Sequence, residues 1–182
     1  MSVLIEAFSV VVRNEAIEQK YPGGIDAFRQ SCPEGTFCMD SNIISRIGFA
    51  TLGDADDFAF SLLELGLSYI VDGEFSEIAV LDQFDGLVIP CPWLEFGSQK
   101  IFKGKQKISI CQVKGCTSMG AAVPIDWIYS NAEGRRCIGM DIKEMEKRFI
   151  FLRHEGRFDY YLDVLTSREM YFSRDITKNA NA

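Results

Sequence analysis

The chain has 182 residues, of which 47% are hydrophobic and 25% are charged. This size and composition fit a single folded domain with a substantial core, and they exclude an intrinsically disordered or collagen-like protein. The formal net charge of −7 argues against nucleic acid as a partner, because an acidic protein is repelled by the phosphate backbone.

The first segment, MSVLIEAFSVVVR, is an apolar run with no basic residue before it and with Glu6 inside it. This pattern fits neither a secretory signal peptide nor a membrane-spanning helix, so we expect a cytoplasmic protein without membrane contact. β-Branched residues at both odd and even positions predict a central strand over residues 3–13 that is covered on both faces.

Two short helical segments are predicted after this strand. Asn14 can cap one helical turn, and Pro22 with the two glycines after it ends that turn. The next stretch, GIDAFRQSC, predicts a second short helix that turns Ile25 and Phe28 toward the core.

The clearest unit lies at about residues 44–83 and has the order strand, helix, strand, strand. Asp54 is the expected N-cap of its helix, and Asp56 and Asp57 in the first turn suit the positive end of the helix dipole. Gly66 supplies the left-handed residue that ends this helix. Apolar residues at helical spacing predict the face that packs on the sheet: Ala55, Phe58, Ala59, Leu62 and Leu65.

The second half of the chain reads mainly as antiparallel strands. Two strands flank GK in KIFKGKQKISICQV, a hairpin surrounds NAEG, a short helix starts at Asp141, and three strands follow from about residue 148. The predicted fold is therefore α+β, with a mixed, mostly antiparallel sheet and a few short helices packed on it. A single domain over 1–182 is expected, with an acidic lobe at about 1–98 and a basic, hairpin-rich lobe at 99–182.

Charge is distributed unevenly along the chain. Residues 1–98 contain 4 Lys and Arg against 16 Asp and Glu, whereas residues 99–182 contain 15 against 10, so the two parts carry −12 and +5. In one interpretation the acidic part meets a basic protein partner, since complementary fields raise association rates and suppress wrong partners. The candidate binding residues are Asp54, Asp56, Asp57 and Glu64. In the alternative, the two parts interleave in space and the acidic residues only keep the surface solvated.

A second hypothesis concerns a small-molecule pocket. In PCPWLEFGS the prolines around Cys91 favour extended backbone, so Trp93 and Glu95 would project to the same side if the strand continues. Trp127, preceded by a carboxylate at residue 126, forms a similar pair. An aromatic floor beside a carboxylate can line a pocket, although tryptophans more often pack in a core. The candidate residues for acid and base chemistry are Glu6, a carboxylate within an apolar strand, and His154.

Residues 47–96 contain a strand, the helix DADDFAFSLLELGL, the strands SYIVDG and EIAVLDQ, and a final WLEF strand. This order resembles half of a glyoxalase-type (vicinal oxygen chelate) module and covers about a quarter of the chain. The resemblance implies paired modules and a metal held by His and Glu on the strands. Glu95 stands near the position of that family's closing glutamate, whereas the single His lies outside the segment.

Cysteine spacing gives no metal motif. The six cysteines include pairs with C-x5-C and C-x4-C spacing, and one His accompanies them, so a zinc site is not expected. In a cytoplasmic protein they are expected to be free thiols. Neither a cofactor nor a metal is predicted, and a homodimer remains open. The favoured function is that of an acidic, bacterial, inhibitor- or immunity-like protein; the alternative is a small-molecule binder or enzyme, with glyoxalase-like chemistry as one form.

Overall fold

The computed structural model describes residues 1–33, 35–41, 43–101, 106–117, 120–125, 127, 149–155, 158–164 and 168–173. The hairpin predicted around NAEG and the helix predicted from Asp141 lie outside these residues, as do Cys137 and the carboxylate at position 126. The five cysteines that are described are free thiols.

The described residues form an α+β fold of short helices and mostly antiparallel sheets, which confirms the predicted fold class. The helices are α1 (Asn14–Lys20), α2 (Gly24–Ser31) and α3 (Leu52–Glu64). The strands are β1 (Ser2–Ile5), β2 (Phe8–Arg13), β3 (Phe37–Asp40), β4 (Ile44–Phe49), β5 (Ile70–Val71), β6 (Glu74–Phe75), β7 (Ile78–Asp82), β8 (Gly86–Leu87), β9 (Leu94–Ile101), β10 (Gln106–Val113), β11 (Ala121–Ala122), β12 (Phe149–Glu155), β13 (Phe158–Asp163) and β14 (Arg168–Ser173).

Two larger sheets organise the first two thirds of the chain. The five-stranded sheet has the order β3-β4-β2-β7-β8 and is antiparallel throughout. The four-stranded sheet has the order β11-β1-β10-β9, in which β1 and β11 form the parallel pair. Strands β12, β13 and β14 form a separate antiparallel sheet, and β5 and β6 form a small hairpin. The predicted strand, helix, strand, strand unit at 44–83 is therefore present.

The helices cover one face of the five-stranded sheet. Phe58 of α3 packs against Phe28 of α2 and against Phe49 of β4, with ring centroids 6.2 and 5.1 Å apart. On the opposite face β1 of the four-stranded sheet contacts β3 and β4. Because successive side chains on a strand point to opposite faces, the central strand β2 is buried against both layers. This arrangement confirms the predicted central, doubly covered strand.

The predicted strand over 3–13 is interrupted, however. β1 ends at Ile5 and β2 begins at Phe8, so the chain passes from one sheet to the other at Glu6 and Ala7. Ala7 has a φ of 46°, a left-handed conformation that is unusual for a residue other than glycine. Backbone and side chain of Gln83 hold this corner, because the Ala7 N–H donates to Gln83 Oε1 at 3.0 Å and the Gln83 N–H donates to the Ala7 carbonyl at 2.9 Å.

Helix α3 begins earlier than predicted. Thr51, not Asp54, is its N-cap: the Thr51 Oγ1 accepts from the Asp54 N–H at 3.0 Å and donates to Asp54 Oδ2 at 2.7 Å. Asp54 thus lies in the first turn, where its carboxylate still suits the helix dipole. The helix ends before Gly66, whose φ of 88° confirms the predicted terminator. Leu65 is exposed, so its assignment to the packed face was wrong.

We expect Thr51→Ala to lower the free energy of unfolding by about 1 kcal/mol, because the substitution removes the acceptor for an N–H at the start of α3. Denaturant unfolding followed by circular dichroism measures this change. Ser61→Ala is the matched control, since Ser61 is an exposed hydroxyl within the same helix whose Oγ donates to the Phe58 carbonyl. Equal losses in the two variants would contradict the capping role of Thr51.

Candidate interaction surface and pocket

Helix α3 presents a face that is both acidic and apolar. Asp57, Phe60 and Glu64 recur at a spacing of three and four residues, which places them on one side of the helix, and all three are exposed. Phe60 is 55% exposed. The face continues into exposed apolar residues at the helix end and in β5. We call the following set the α3 surface: Asp54, Asp57, Phe60, Glu64, Leu65, Ile70 and Val71.

Tyr69 supports Phe60 from the side. The two rings meet edge to face with their centroids 6.1 Å apart. The Tyr69 side chain is hydrogen-bonded to Asp56. Burial, and to a smaller extent the negative charge of Asp56, raises the pKa of Tyr69 to about 12. Burial also raises the pKa of the Asp56 carboxyl, with the hydrogen bond from Tyr69 acting in the opposite direction. Asp56 therefore positions the aromatic pair, whereas the other three predicted acidic residues, Asp54, Asp57 and Glu64, lie at the exposed surface.

An open pocket of about 440 Å³ lies between α1, the β5-β6 hairpin and the segment before β9. Its walls include Arg13, Glu15, Gln19, Val71, Glu77 and Trp93. The guanidinium of Arg13 stacks on the Trp93 indole, with Cζ 4.4 Å from the ring centroid. Trp93 is largely buried, and among the described residues neither its Nε1 nor the Nε of Arg13 has a hydrogen-bond partner. Each unsatisfied buried donor lowers the free energy of unfolding, so the contact between Arg13 and Trp93 is made at a cost in stability.

The two carboxylates of the pocket differ in their surroundings. Both oxygens of Glu77 accept from Lys20 Nζ at 2.7 Å, and Oε2 also accepts from the Ser68 N–H at 2.6 Å. Burial favours the neutral acid, but the hydrogen bonds from Lys20 and Ser68 outweigh it and lower the pKa of Glu77. Glu15 is exposed and accepts from Gln19 Nε2 at 3.2 Å. Glu77 is therefore neutralised by a lysine, whereas Glu15 has only an uncharged partner among the described residues.

Glu6 belongs to a buried polar cluster between the two larger sheets. Arg46, which is 1% exposed, donates from Nε to Ser9 Oγ at 2.9 Å and from Nη2 to the Glu6 carbonyl at 3.1 Å. Its Nη2 lies 3.9 Å from Glu6 Oε2, and Trp127 Nε1 donates to Glu6 Oε1 at 2.6 Å. Burial raises the pKa of Glu6, while Arg46 and Trp127 act in the opposite direction. Gly48 leaves room for this arginine, since a Cβ there would lie 2.7 Å from Nη2.

The Glu6 cluster and the Trp93 pocket lie at different positions along the four-stranded sheet. Ile5, next to Glu6, pairs with Ser109, whereas Leu94, next to Trp93, pairs with Val113. Four residues along β10 separate these positions, which corresponds to about 13 Å of strand. The two tryptophans therefore line different sites: Trp127 joins Glu6, and Trp93 joins Arg13.

Glu95 and His154 lie outside both clusters. Glu95 is exposed in β9 and accepts weakly from Gln112 Nε2 at 3.4 Å. Because β9 begins only after Trp93, the prediction that Trp93 and Glu95 share one side of a strand was wrong. His154 lies in β12 rather than in a turn and is paired with Asp159 across the strands. Of the two candidate residues for acid and base chemistry, His154 thus lies in the β12-β13-β14 sheet, whereas Glu6 lies in the connection between β1 and β2.

Sequence reasoning missed the two arginines that organise these clusters. Arg46 interrupts the apolar segment IISRIGF, and Glu6 interrupts the first apolar segment. Because a buried charge needs a partner, these two interruptions could have predicted that Arg46 and Glu6 meet. Arg13 ends an apolar strand, which is an ordinary position for a charged residue. Only the fold brings Arg13 against Trp93, 80 positions later in the chain.

Comparison of the chain with protein-family models, with curated proteins and with solved structures finds no match. Within the described residues, no three side chains of His, Cys, Asp or Glu are grouped so that they could hold a metal ion. No helix in this part of the chain has the length and apolar character needed to cross a membrane. The glyoxalase-type resemblance therefore gains no support from a relative.

Proposed function

We propose that the protein binds a basic protein partner through the α3 surface. The observation that carries this proposal is the position of Phe60, a large apolar side chain that is 55% exposed with Asp57 and Glu64 one turn away on either side. Exposed aromatic residues occur singly on many proteins, but here apolar and acidic residues alternate over a helix and the neighbouring hairpin. Such a surface suits a partner that offers an apolar pocket ringed by Lys and Arg.

The two kinds of residue support different parts of the binding process. Burial of Phe60 would supply affinity, because interface energy is concentrated in a few aromatic anchors near the centre. Asp57 and Glu64 would supply rate and specificity, since charges at the rim steer the approach of an oppositely charged partner. The Tyr69 contact restricts Phe60 before binding, which lowers the entropy lost on association.

Charge complementarity favours a basic protein over other partners. The chain carries −7, and the part that contains α3 carries −12 within residues 1–98. Nucleic acid and anionic lipid would both be repelled by such a surface. A cytoplasmic protein that covers a partner in this way would act as an inhibitor or immunity-like protein.

Affinity selection from a displayed library of random peptides and small basic domains tests this proposal. We expect selected ligands to combine Lys or Arg with apolar side chains. Phe60→Ala should weaken their binding by about 30-fold, the effect of losing one interface anchor. The double reversal Asp57→Lys and Glu64→Lys should slow association and reduce the dependence of the rate on salt. Surface plasmon resonance measures both the affinity and the association rate.

Two charge reversals outside the surface serve as matched controls. Asp26→Lys on α2 and Glu95→Lys on β9 change exposed carboxylates by the same charge, and they should leave binding within about twofold of the parent, as expected for residues away from an interface. Ligands that lack basic residues, or that bind the Phe60→Ala and double-reversal variants as tightly as the parent, would refute the proposal.

A further inference from the structure

We propose that the pocket formed by Arg13, Trp93 and Glu15 binds a small zwitterion, that is, a molecule with one carboxylate and one ammonium group. Its volume of about 440 Å³ corresponds to roughly 15 water molecules, which is ample for an amino acid or a short peptide. Among the described residues, the pocket walls share only Val71 with the α3 surface. This proposal therefore does not depend on the proposed protein-binding function.

Arg13 provides the carboxylate end of the site. Its Cζ lies over the Trp93 ring and its Nε is buried, so the terminal Nη groups are the ones that remain for a ligand. Within the described part of the chain this guanidinium makes no ion pair, unlike the nearby Lys20, which is held by Glu77. The two terminal Nη groups of a guanidinium can bind a carboxylate through two parallel hydrogen bonds.

Glu15 provides the ammonium end. No cation among the described residues pairs with Glu15, whereas the other carboxylate of the pocket, Glu77, is already neutralised by Lys20. The pocket therefore offers one uncompensated positive charge and one uncompensated negative charge. A ligand with only negative charge would be repelled by Glu15, and one with only positive charge would be repelled by Arg13. A molecule with both charges satisfies both side chains.

Isothermal titration calorimetry on the full chain tests this proposal with five classes of probe. Free alanine, leucine and glutamine are amino-acid zwitterions, and Ala-Ala and Leu-Ala are dipeptide zwitterions. N-acetylalanine lacks the ammonium group, and alanine amide lacks the carboxylate. Inorganic phosphate tests simple anion binding. We expect the zwitterions to bind and each blocked compound to bind at least about tenfold more weakly, because it loses its charge-assisted hydrogen bonds to Arg13 or to Glu15. The stronger of the two zwitterion classes identifies the source of the ligand.

Two variants with matched controls locate the site. Arg13→Gln should remove the preference for a carboxylate and Glu15→Gln the preference for an ammonium group. The controls Arg29→Gln and Glu95→Gln make the same charge changes at exposed positions outside the pocket walls and should bind as the parent does.

Circular dichroism checks that each variant is folded, and the comparison of blocked with free ligands needs only the parent chain. The proposal is overturned if no zwitterion binds, if phosphate or the blocked compounds bind equally well, or if the folded pocket variants bind as the parent does. None of these outcomes bears on the α3 surface, whose test uses other ligands and other variants.

Discussion

Replacing Arg46 with Met should lower the free energy of unfolding by about 3 to 5 kcal/mol, the range found when one partner of a buried charged pair is removed. Arg46 donates to Ser9 and to the carbonyls of Thr36 and Glu6, and none of these bonds can be made by Met. The Glu6 carboxylate would also lose the positive charge at 3.9 Å. Because most domains are stable by only about 5 to 15 kcal/mol, this loss should be evident as a much lower denaturant midpoint.

The double variant Arg46→Met with Glu6→Gln separates the charge from the hydrogen bonds. Gln keeps an oxygen that can accept from Trp127 but carries no charge, so the double variant should be more stable than Arg46→Met alone. With the parent and the single variant Glu6→Gln, these two variants complete a double-mutant cycle that measures the interaction between Arg46 and Glu6. An Arg46→Met chain as stable as the parent would show that the buried arginine contributes nothing net to the fold.

The loss of stability in Arg46→Met should depend on pH and should become larger as pH rises. Burial raises the pKa of Glu6 above its ordinary value of 4.5. The folded chain therefore binds the Glu6 proton more tightly than the unfolded chain does. The resulting stabilisation is fully present below pH 4.5 and is lost as pH rises through the folded-state pKa. Arg46 opposes the rise, and its removal lets the folded-state pKa increase further. The destabilisation by Arg46→Met should therefore grow as pH rises above 4.5. The double variant should lack this growth, since it has no carboxyl at position 6.

Local signals in the sequence predicted the three described helices but not the contacts between distant elements. The left-handed Gly66 and the spacing of Ala55, Ala59 and Leu62 correctly marked the end and the buried face of α3, because both depend on residues a few positions apart. Thr51 was overlooked as the cap because three aspartates follow it, and each of them is an acceptable first-turn residue.

The candidate sites depend on contacts between distant residues. Trp93 meets Arg13, and Trp127 meets Glu6 across 121 positions, so neither partner was visible from a local motif. The charge pattern gave Asp54, Asp57 and Glu64 as candidate binding residues, and in α3 these three carboxylates are exposed on the face that also carries Phe60. It gave no sign that Phe60 would be exposed at the centre of that face, because a phenylalanine within a helix is usually assigned to the core.

Replacing Phe28 with Ala should cost about 3 to 5 kcal/mol of stability, the usual range for a buried aromatic side chain. Phe28 is fully buried in α2 and contacts Tyr21, Phe37 and Phe58 through edge or tilted ring pairs with centroids 5.1 to 6.3 Å apart. Ala would leave a cavity beneath α3 that these rings can fill only in part. Denaturant unfolding at equilibrium measures the loss.

Phe60→Ala is the matched comparison, because it deletes the same ring from the outer side of α3. With Phe60 55% exposed, this substitution should change the free energy of unfolding by less than about 1 kcal/mol. A loss of similar size in both variants would mean that Phe60 is part of the core and would remove the anchor from the proposed interface. If the interface is correct, the two substitutions have opposite consequences: Phe28→Ala weakens the fold but retains binding while the chain is folded, whereas Phe60→Ala retains the fold and loses binding.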